Sequence, residues 1–387
     1  MNIGIDANCL IFEKAGVGKY TQNIVKNLIK IDRKNHYFLY FSFLRYRKKR
    51  EKIIKDFLKP KTKNVTYKIL PIPTSWYEFL TTTKFPITRL INDKIDVYFA
   101  PYVSGIPKNG FPKTVATVHD LVFLRFPEHR GKKLTNYYLK RHIIATSNAQ
   151  KIIAPSVATK NDLQEFLKIE SEKIQVIPEA ADSRFRKIKN DAFSDRVISR
   201  YFDPKLKYIL SVGTLEPRKN LTRLVTAYSL LPHILKREYK LVLVGAKGWN
   251  NSELYRAIKN LNLEDNVIFL GFVSDEDLPY IYNRANIFVY PALYEGFGLP
   301  PLEAMASGVP VIVSANSSLP EVVGNAAILL DVKNEEEIAQ AIKEVILKEK
   351  LRQKLVKRGF EQAKKFSWAT AAKETLKVLE EVGKRRD

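Results

Sequence analysis

Short apolar runs alternate with longer amphipathic stretches along the whole chain. Runs bounded by Gly, Pro or Asn read as buried strands, and the stretches between them as crossover helices. That order predicts an α/β fold of parallel sheets flanked by helices. The clearest unit comes first: a strand at 2–6, a Gly loop at Gly16-Val17-Gly18, and a helix over 19–31 with Ile24, Leu28 and Ile31 on one face. Further strands are expected at 37–41, 65–70, 97–100, 114–118 and 151–154. A second series begins near Lys207, with strands at 208–212, 241–244, 267–270, 287–289, 309–313 and 327–330. A helix over 221–231 has Asn220 placed to cap it, and an amphipathic helix over 368–382 closes the chain.

A length of 387 residues suits two domains. The expected organisation is a first domain at 1–182, a charged, irregular linker at 183–206, a second domain at 207–367, and the terminal helix within 368–387. Both domains read as Rossmann-like and facing each other. Ligands of doubly wound sheets bind at the carboxyl ends of the strands, so the active site is expected in the cleft between the two. Cys9 is the single cysteine. It makes no intramolecular disulfide and no Cys-based zinc site, which fits a reducing compartment. The start of the chain lacks the basic residues of a signal peptide. The longest uncharged span, 304–320, carries Gly, Ser, Asn and Pro and does not read as a bilayer helix. The location expected is cytoplasmic, at most peripheral on the cytoplasmic face of the membrane.

Charge sharpens the picture. The formal net charge is +24. Residues 1–182 hold 32 Lys and Arg against 16 Asp and Glu, and the rest of the chain 33 against 25. The excess therefore sits in the first half, which leaves an anionic membrane surface, a nucleic acid or general solubility as its purpose. Tyr46 lies among Arg45, Arg47, Lys48, Lys49 and Arg50, with Ile53, Ile54, Phe57 and Leu58 following at helical spacing. Such a helix suits anionic lipid, and equally an ordinary helix with a solvated basic face. Signatures of nucleic-acid binding modules are missing, so nucleic acid is not expected as a partner.

Four segments carry candidate chemistry. In Ala292-Leu293-Tyr294-Glu295-Gly296-Phe297-Gly298-Leu299-Pro300-Pro301-Leu302-Glu303, a strand end passes through a Gly-rich turn into a short helix that begins near Pro300 and ends at Gly308. Backbone N–H groups beside a helix N-terminus suit hydroxyls or a diphosphate, and Glu295 and Glu303 suit sugar hydroxyls. Two glutamates at that distance mean little without the surrounding pattern. In Gly213-Thr214-Leu215-Glu216-Pro217-Arg218-Lys219-Asn220, the paired cations at a strand end suit a diphosphate, or are two solvated charges beside a cap. Gly16 and Gly18 make only part of a dinucleotide fingerprint. Thr117-Val118-His119-Asp120 brings His119 to a strand end, where a lone histidine is more often structural. Asp275-Glu276-Asp277 has the Asp-x-Asp pattern of metal-dependent sugar transferases, but it opens a helix, where acidic residues favour the dipole. No metal site is expected.

Taken together, these segments resemble the glycogen-synthase-like group 1 retaining glycosyltransferases, family four, of GT-B fold. The Glu295-to-Glu303 segment resembles that family's glutamate-x7-glutamate motif. The likeness continues through Glu216-Pro217-Arg218-Lys219-Asn220, Leu243-Val244-Gly245, Gly271-Phe272-Val273 and Ser318-Leu319-Pro320-Glu321-Val322-Val323-Gly324. It is looser in the first half, at the Gly loop, His119-Asp120 and Ala154-Pro155-Ser156 leading to Val176-Ile177-Pro178. The branch it looks most like is the mannosyltransferases of surface polysaccharide assembly. The resemblance implies transfer of a hexose, mannose favoured, from a nucleoside-diphosphate sugar (GDP-mannose favoured) to a glycan or lipid-linked acceptor, with retained configuration, no metal and no cofactor. It also implies roles. Arg218 and Lys219 hold the diphosphate and stabilise the leaving group, with Gly213 in the same loop. Glu303 takes the ribose hydroxyls. Glu295 and the N–H groups of Phe297, Gly298 and Leu299 face the transferred sugar, as does His119 from the other domain. Gly16 and Gly18 approach the phosphates, and Val273 lies near the base. The chain departs from the family in its Gly-Val-Gly loop, where many members have adjacent glycines. It departs again at Glu179-Ala180-Ala181-Asp182, where many have an asparagine-glycine pair. A nucleotide-sugar epimerase of the same fold and a basic nucleic-acid-binding protein are the competing readings.

Overall fold

The computed structural model describes residues 1–12, 16–59, 63–91, 93–106, 108, 111, 113–129, 131–189, 191–249 and 251–384. The chain divides into two compact units, Met1–Glu179 with Ser367–Asp387, and Ala180–Phe366. The first unit's sheet contains β1 (Asn2–Asp6), β2 (His36–Ser42), β3 (Val65–Leu70), β4 (Val97–Ala100), β5 (Thr114–Thr117), β6 (Lys151–Ala154) and β7 (Ile174–Val176). All are parallel, in the order β3-β2-β1-β4-β5-β6-β7. The second unit's sheet contains β8 (Lys207–Val212), β9 (Tyr239–Val244), β10 (Val267–Gly271), β11 (Ile287–Tyr290), β12 (Val311–Ser314) and β13 (Ala327–Leu330). It is also parallel, in the order β10-β9-β8-β11-β12-β13. Each order reverses direction once, at β1/β4 and at β8/β11, and such reversals are where doubly wound sheets bind ligands.

Strands buried on both faces explain the continuous apolar runs. In the second unit, Tyr208, Leu210 and Val212 of β8 join one core with Val242, Phe288 and Val311. Ile209, between them in sequence, joins the other with Leu241, Ile287 and Ile312. β7 escapes the sequence pattern because it is short and only Ile174 in it is buried. The strand expected from 309 begins at Val311, because Gly308 (φ 78°) and Val309 still complete the preceding helix, where the Val309 N–H donates to Ala304 O (3.0 Å). After a short helix, Cys9–Phe12, the expected helix runs Gly16–Ile31, so Gly16-Val17-Gly18 is its first turn and not a loop before it. It buries Tyr20, Ile24 and Leu28, but Ile31 is exposed, because the four-residue spacing of that face passes to Asp32.

The 183–206 stretch is part of the second unit. Its helix Ala192–Ile198 is held by a capping box between Asp191 and Ser194. Phe185 and Ile198 are buried in the second core, with Phe185 edge-on to Tyr282 at 5.4 Å. Those two apolar anchors are hidden in sequence by the charges around them. The terminal helix, Trp368–Lys384, belongs to the first unit. Trp368 packs edge-on against Tyr20 (5.9 Å), and Ala372, Leu379 and Val382 are buried.

Candidate functional site

The richest chemistry in the second unit sits on the loops that follow β8 and β11. After β8 the chain passes Gly213 and a 3₁₀ turn, Pro217–Lys219, into the helix Leu221–Ser229. A glycine is required at Gly245, after β9, because a Cβ there would lie 1.9 Å from the Gly213 carbonyl oxygen. At Gly213 a Cβ would meet the Lys219 side chain at 3.2 Å. The two glycines let the strand ends touch and fold the Lys219 stem inward. Asn220 does not cap the helix: it adopts φ 56°, and its side-chain amide donates to Val332 O (3.0 Å).

After β11 the loop leads into the helix Leu299–Ala306. Pro300 and Pro301 occupy its second and third positions, so two of the N–H groups a helix start normally presents are missing. Among the described residues, the N–H groups of Phe297, Gly298 and Leu299 have no hydrogen-bond partner. Gly298, at φ 117°, turns the chain there, and a Cβ would run into Leu319 at 2.7 Å. Ser318 donates to the carbonyls of Glu295 (2.9 Å) and Phe297 (2.5 Å), and Ser317 Oγ accepts from the Glu295 N–H (3.0 Å). The loop is therefore pinned by Ser317 and Ser318.

The two loops meet at four charges. Leu293 N–H donates to Arg218 O (2.8 Å), and Arg218 Nη1 donates to Tyr294 O (2.6 Å). Arg218 binds Glu216 Oε1 through Nε and Nη2 (2.9 and 2.6 Å) and lies 2.7 Å from Glu295 Oε1 through Nη1. Lys219 Nζ reaches the same Glu295 oxygen and the Tyr290 hydroxyl, both at 2.5 Å. The Tyr290 hydroxyl in turn donates to Glu295 Oε1 (2.9 Å). Burial alone would raise the Glu295 pKa, but Arg218 and then Lys219 draw it down to about 2. Lys219 is lowered, first by burial and then by Arg218 beside it. The asymmetry is physical: the acid gains two cations, while the lysine shares one acid with a competitor. Two cations, Lys219 buried and Arg218 partly so, balance two buried acids, Glu216 and Glu295.

Glu303 stands apart from that cluster. It is buried in the helix Leu299–Ala306 and accepts from the Tyr282 hydroxyl (3.0 Å). Val273 is buried in the second core, so only its backbone is offered to a ligand. Asp277 is engaged by the Tyr201 hydroxyl (2.7 Å) and Arg200 (3.2 Å). Among the described residues no group of three His, Cys, Asp or Glu is placed to hold a metal.

In the first unit, His119 follows β5. Its Nε2 bonds Pro101 O (2.9 Å), its Nδ1 faces Glu179 Oε1 (3.3 Å), and its ring meets Tyr20 edge-on at 4.7 Å. Both nitrogens thus face acceptors, which favours the doubly protonated ring. Burial pushes the His119 pKa down, but Glu179, then Pro101 O and Asp120, leave it raised. A raised folded pKa adds stability that is full below the unfolded value, about 6.5, and is lost as pH rises through the folded one. The thermal midpoint of the wild type should therefore exceed that of Glu179→Gln most at pH 5.5–6.5, with the gap closing towards pH 9. A gap independent of pH would rule out the charged pair. Gly16 and Gly18 lie in the opening helical turn, with open space around a Cβ at Gly16.

Sequence reasoning passed over Glu216, Tyr290, Tyr282, Ser317 and Ser318. Glu216 stood inside a quoted motif, and Glu179 had been noted only as a departure. The tyrosines carried no signal, because in sequence they read as core residues of a strand and a helix.

Two family descriptions match the chain, "Glycosyl transferases group 1" over residues 198–362 and "Glycosyltransferase Family 4" over residues 15–185. An O-antigen chain mannosyltransferase B of Escherichia coli is 35% identical over 264 residues, covering 68% of this chain and 69% of its own. A serotype-specific mannosyltransferase WbdA of the same organism is 32% identical over 275 residues, 70% of this chain but 34% of its own. Anabaena HepE in complex with UDP and glucose superposes with a TM-score of 0.74 at 17% identity, over 98% of this chain and 99% of its own. Sucrose-phosphate synthase of Thermosynechococcus elongatus does so at 0.75 and 19% identity, over 99% of each. At those identities the structural likeness concerns the fold alone.

Proposed function

The chain belongs to the group 1 glycosyltransferases, family four, and from that premise we propose that it transfers a hexose, mannose first, from a nucleoside-diphosphate sugar to a glycan hydroxyl with retention of configuration. The observation that carries this reading is the pair of Arg218, partly buried, and Lys219, buried, beside the unpartnered N–H groups of Phe297, Gly298 and Leu299. Two fixed cations provide what a departing diphosphate needs, opposite charge already in place as its own charge grows. The amides suit hydroxyls or oxyanions. Glu303, a buried acid that accepts from the Tyr282 hydroxyl, suits the paired hydroxyls of a ribose. The similar O-antigen mannosyltransferases support mannose and polysaccharide assembly as substrate class and setting, and a cytoplasmic location follows from a nucleotide-linked donor.

Arg218 and Lys219 supply in side chains the charge that a divalent ion supplies in other transferases, so the reading needs no metal. The test is a thermal-shift screen against GDP, UDP, dTDP and ADP and their sugar conjugates, run in excess EDTA. One nucleotide family, GDP in first place, is expected to raise the midpoint in proportion to concentration and affinity. Binding only after a divalent ion is restored would refute metal independence, and no binding under either condition would refute the donor site.

The basic first half supports attachment to an anionic bilayer. Among the described residues no helix is long and apolar enough to cross a membrane. The helix Arg47–Phe57 turns Ile54 inward, and its outer face is mostly basic, with Ile53 exposed among the charges. Leu44 and Tyr46 lead into it and are exposed. Thr74 bonds Ser42 O (2.5 Å), which places the helix Thr74–Thr81, with exposed Trp76 and Phe79, at the same end of β2. Charge with interfacial aromatics is the composition that anionic lipid retains. Replacing Arg47, Lys48, Lys49 and Arg50 by glutamine should abolish co-sedimentation with vesicles containing phosphatidylglycerol, at unchanged thermal midpoint. Undiminished binding would remove the membrane from the reading.

A further inference from the structure

The first unit has a recess of its own at the point where its sheet reverses, between the carboxyl ends of β1 and β4. It is lined by Asp6, Asn8, Tyr77, Glu78, Tyr102 and Ser104 among others. Its cavity volume is about 30 Å³, room for one or two groups the size of water or a hydroxyl, not a ring. Asp6 forms its floor and is nine-tenths buried. Asp6 Oδ1 accepts from the backbone N–H and the side-chain amide of Asn8, both at 3.0 Å. Asp6 Oδ2 has no partner among the described residues. It faces Gly105, where a Cβ would stand 2.3 Å away, so the absence of a side chain there keeps that oxygen uncovered.

The ligand chemistry follows from what surrounds this oxygen. Glu78 enters the recess from the helix Thr74–Thr81, and its nearest cation, Arg141, is 3.9 Å away. Burial first, and then the opposing charge of Glu78, hold the Asp6 carboxyl up at about 6 despite the Asn8 bonds. Two acids with a shortage of donors repel an anion, so phosphates are excluded. Hydroxyl groups supply the missing donors, and the Tyr102, Ser104 and Asn8 groups can serve their oxygens. A neutral diol edge satisfies both signs of demand, whereas a buried carboxylate oxygen left unbonded is costly. We infer that this recess seats two adjacent hydroxyls of the acceptor, a neutral, unphosphorylated saccharide, with its ring held at the mouth. This rests on the transferase reading above and names the acceptor chemistry within it.

The experiment uses the full chain, methyl α-D-mannopyranoside as the probe, and saturation-transfer NMR to read its binding. Nucleoside-diphosphate affinity is measured in parallel by thermal shift. Asp6→Asn and Glu78→Gln should each weaken methyl mannoside binding at least tenfold while leaving nucleotide affinity within twofold. Glu78 is half-exposed, so its variant keeps the test valid even where Asp6→Asn fails to fold. Wild-type binding of the mannoside that survives both substitutions, or that inorganic phosphate displaces, overturns the assignment. So does a wild type that binds the nucleotide but no methyl hexoside. A wild type that binds no nucleotide sinks the transferase reading itself, and this one with it.

Discussion

Arg218→Ala is expected to lower kcat by about 10²–10³-fold at saturating donor, and Lys219→Ala by a similar factor. The reason is placement rather than charge alone. Arg218 is fixed from four directions, by Glu216 Oε1 on two nitrogens, by Glu295 and by the Tyr294 carbonyl. Its guanidinium therefore undergoes little reorganisation as the diphosphate leaves, and a buried, pre-oriented cation acts more strongly than one in water. Lys219 is fixed between Glu295 and Tyr290. Arg218→Lys serves as the control: it keeps the charge but loses the planar fork, and should fall between wild type and alanine. Initial-rate measurement of sugar transfer decides the matter. Wild-type kcat in the alanine variants would remove both residues from the leaving-group role.

The second large effect concerns Glu295 and has two opposite parts. Glu295→Gln takes from buried Lys219 and partly buried Arg218 the acid they share, while Glu216 stays bound to Arg218. Breaking a buried pair by removing one partner costs about 3–5 kcal/mol, so the ligand-free thermal midpoint should drop by many degrees. The loss has a pH signature. A depressed acid contributes stability that is present above its unfolded pKa, about 4.3, and lost as pH falls through its folded value of about 2. The difference between wild type and variant should therefore be full above pH 5 and shrink in acid. Nucleoside diphosphate should restore the variant more than it stabilises the wild type, because its phosphates then meet two cations that have lost Glu295 instead of competing with its carboxylate. Equal ligand-induced shifts in the two proteins would mean that the diphosphate does not use the Arg218–Lys219 pair.

Some of this was legible in one dimension because it obeys local rules. The strands at 2–6, 65–70, 97–100, 151–154 and 327–330 were read at their observed bounds: the interior ones because a strand buried on both faces is mostly apolar, the edge strands 65–70 and 327–330 from their β-branched and aliphatic residues. Gly308 was read as a helix terminator, and it adopts the positive φ that role requires. Arg218, Lys219, Glu295 and Glu303 were named from segments whose glycines and prolines already imply a strand end, a turn and a helix start. Two misreadings share one cause. Asn220 and the 183–206 stretch were judged from their neighbours in sequence, while their partners, Val332 and Tyr282, lie elsewhere; Ile31 lies one residue off a face that Asp32 completes.

What the sequence by itself determined is the class of fold, the strand-end positions of the cations and acids, and the family those segments resemble. Periodicity, turn chemistry and motif spacing are local, and so survive without coordinates. Tertiary structure alone decided how these charges are spent. It made Glu295 the shared counter-ion of Arg218 and Lys219, and set Glu303 against the Tyr282 hydroxyl. It paired His119 with Glu179 and left Asp6 Oδ2 uncovered beside Gly105. Each of these joins residues far apart in the chain, and only the stacking of parallel strands brings their ends to one edge. A buried charge takes its pKa, and with it its use, from whatever that packing sets beside it.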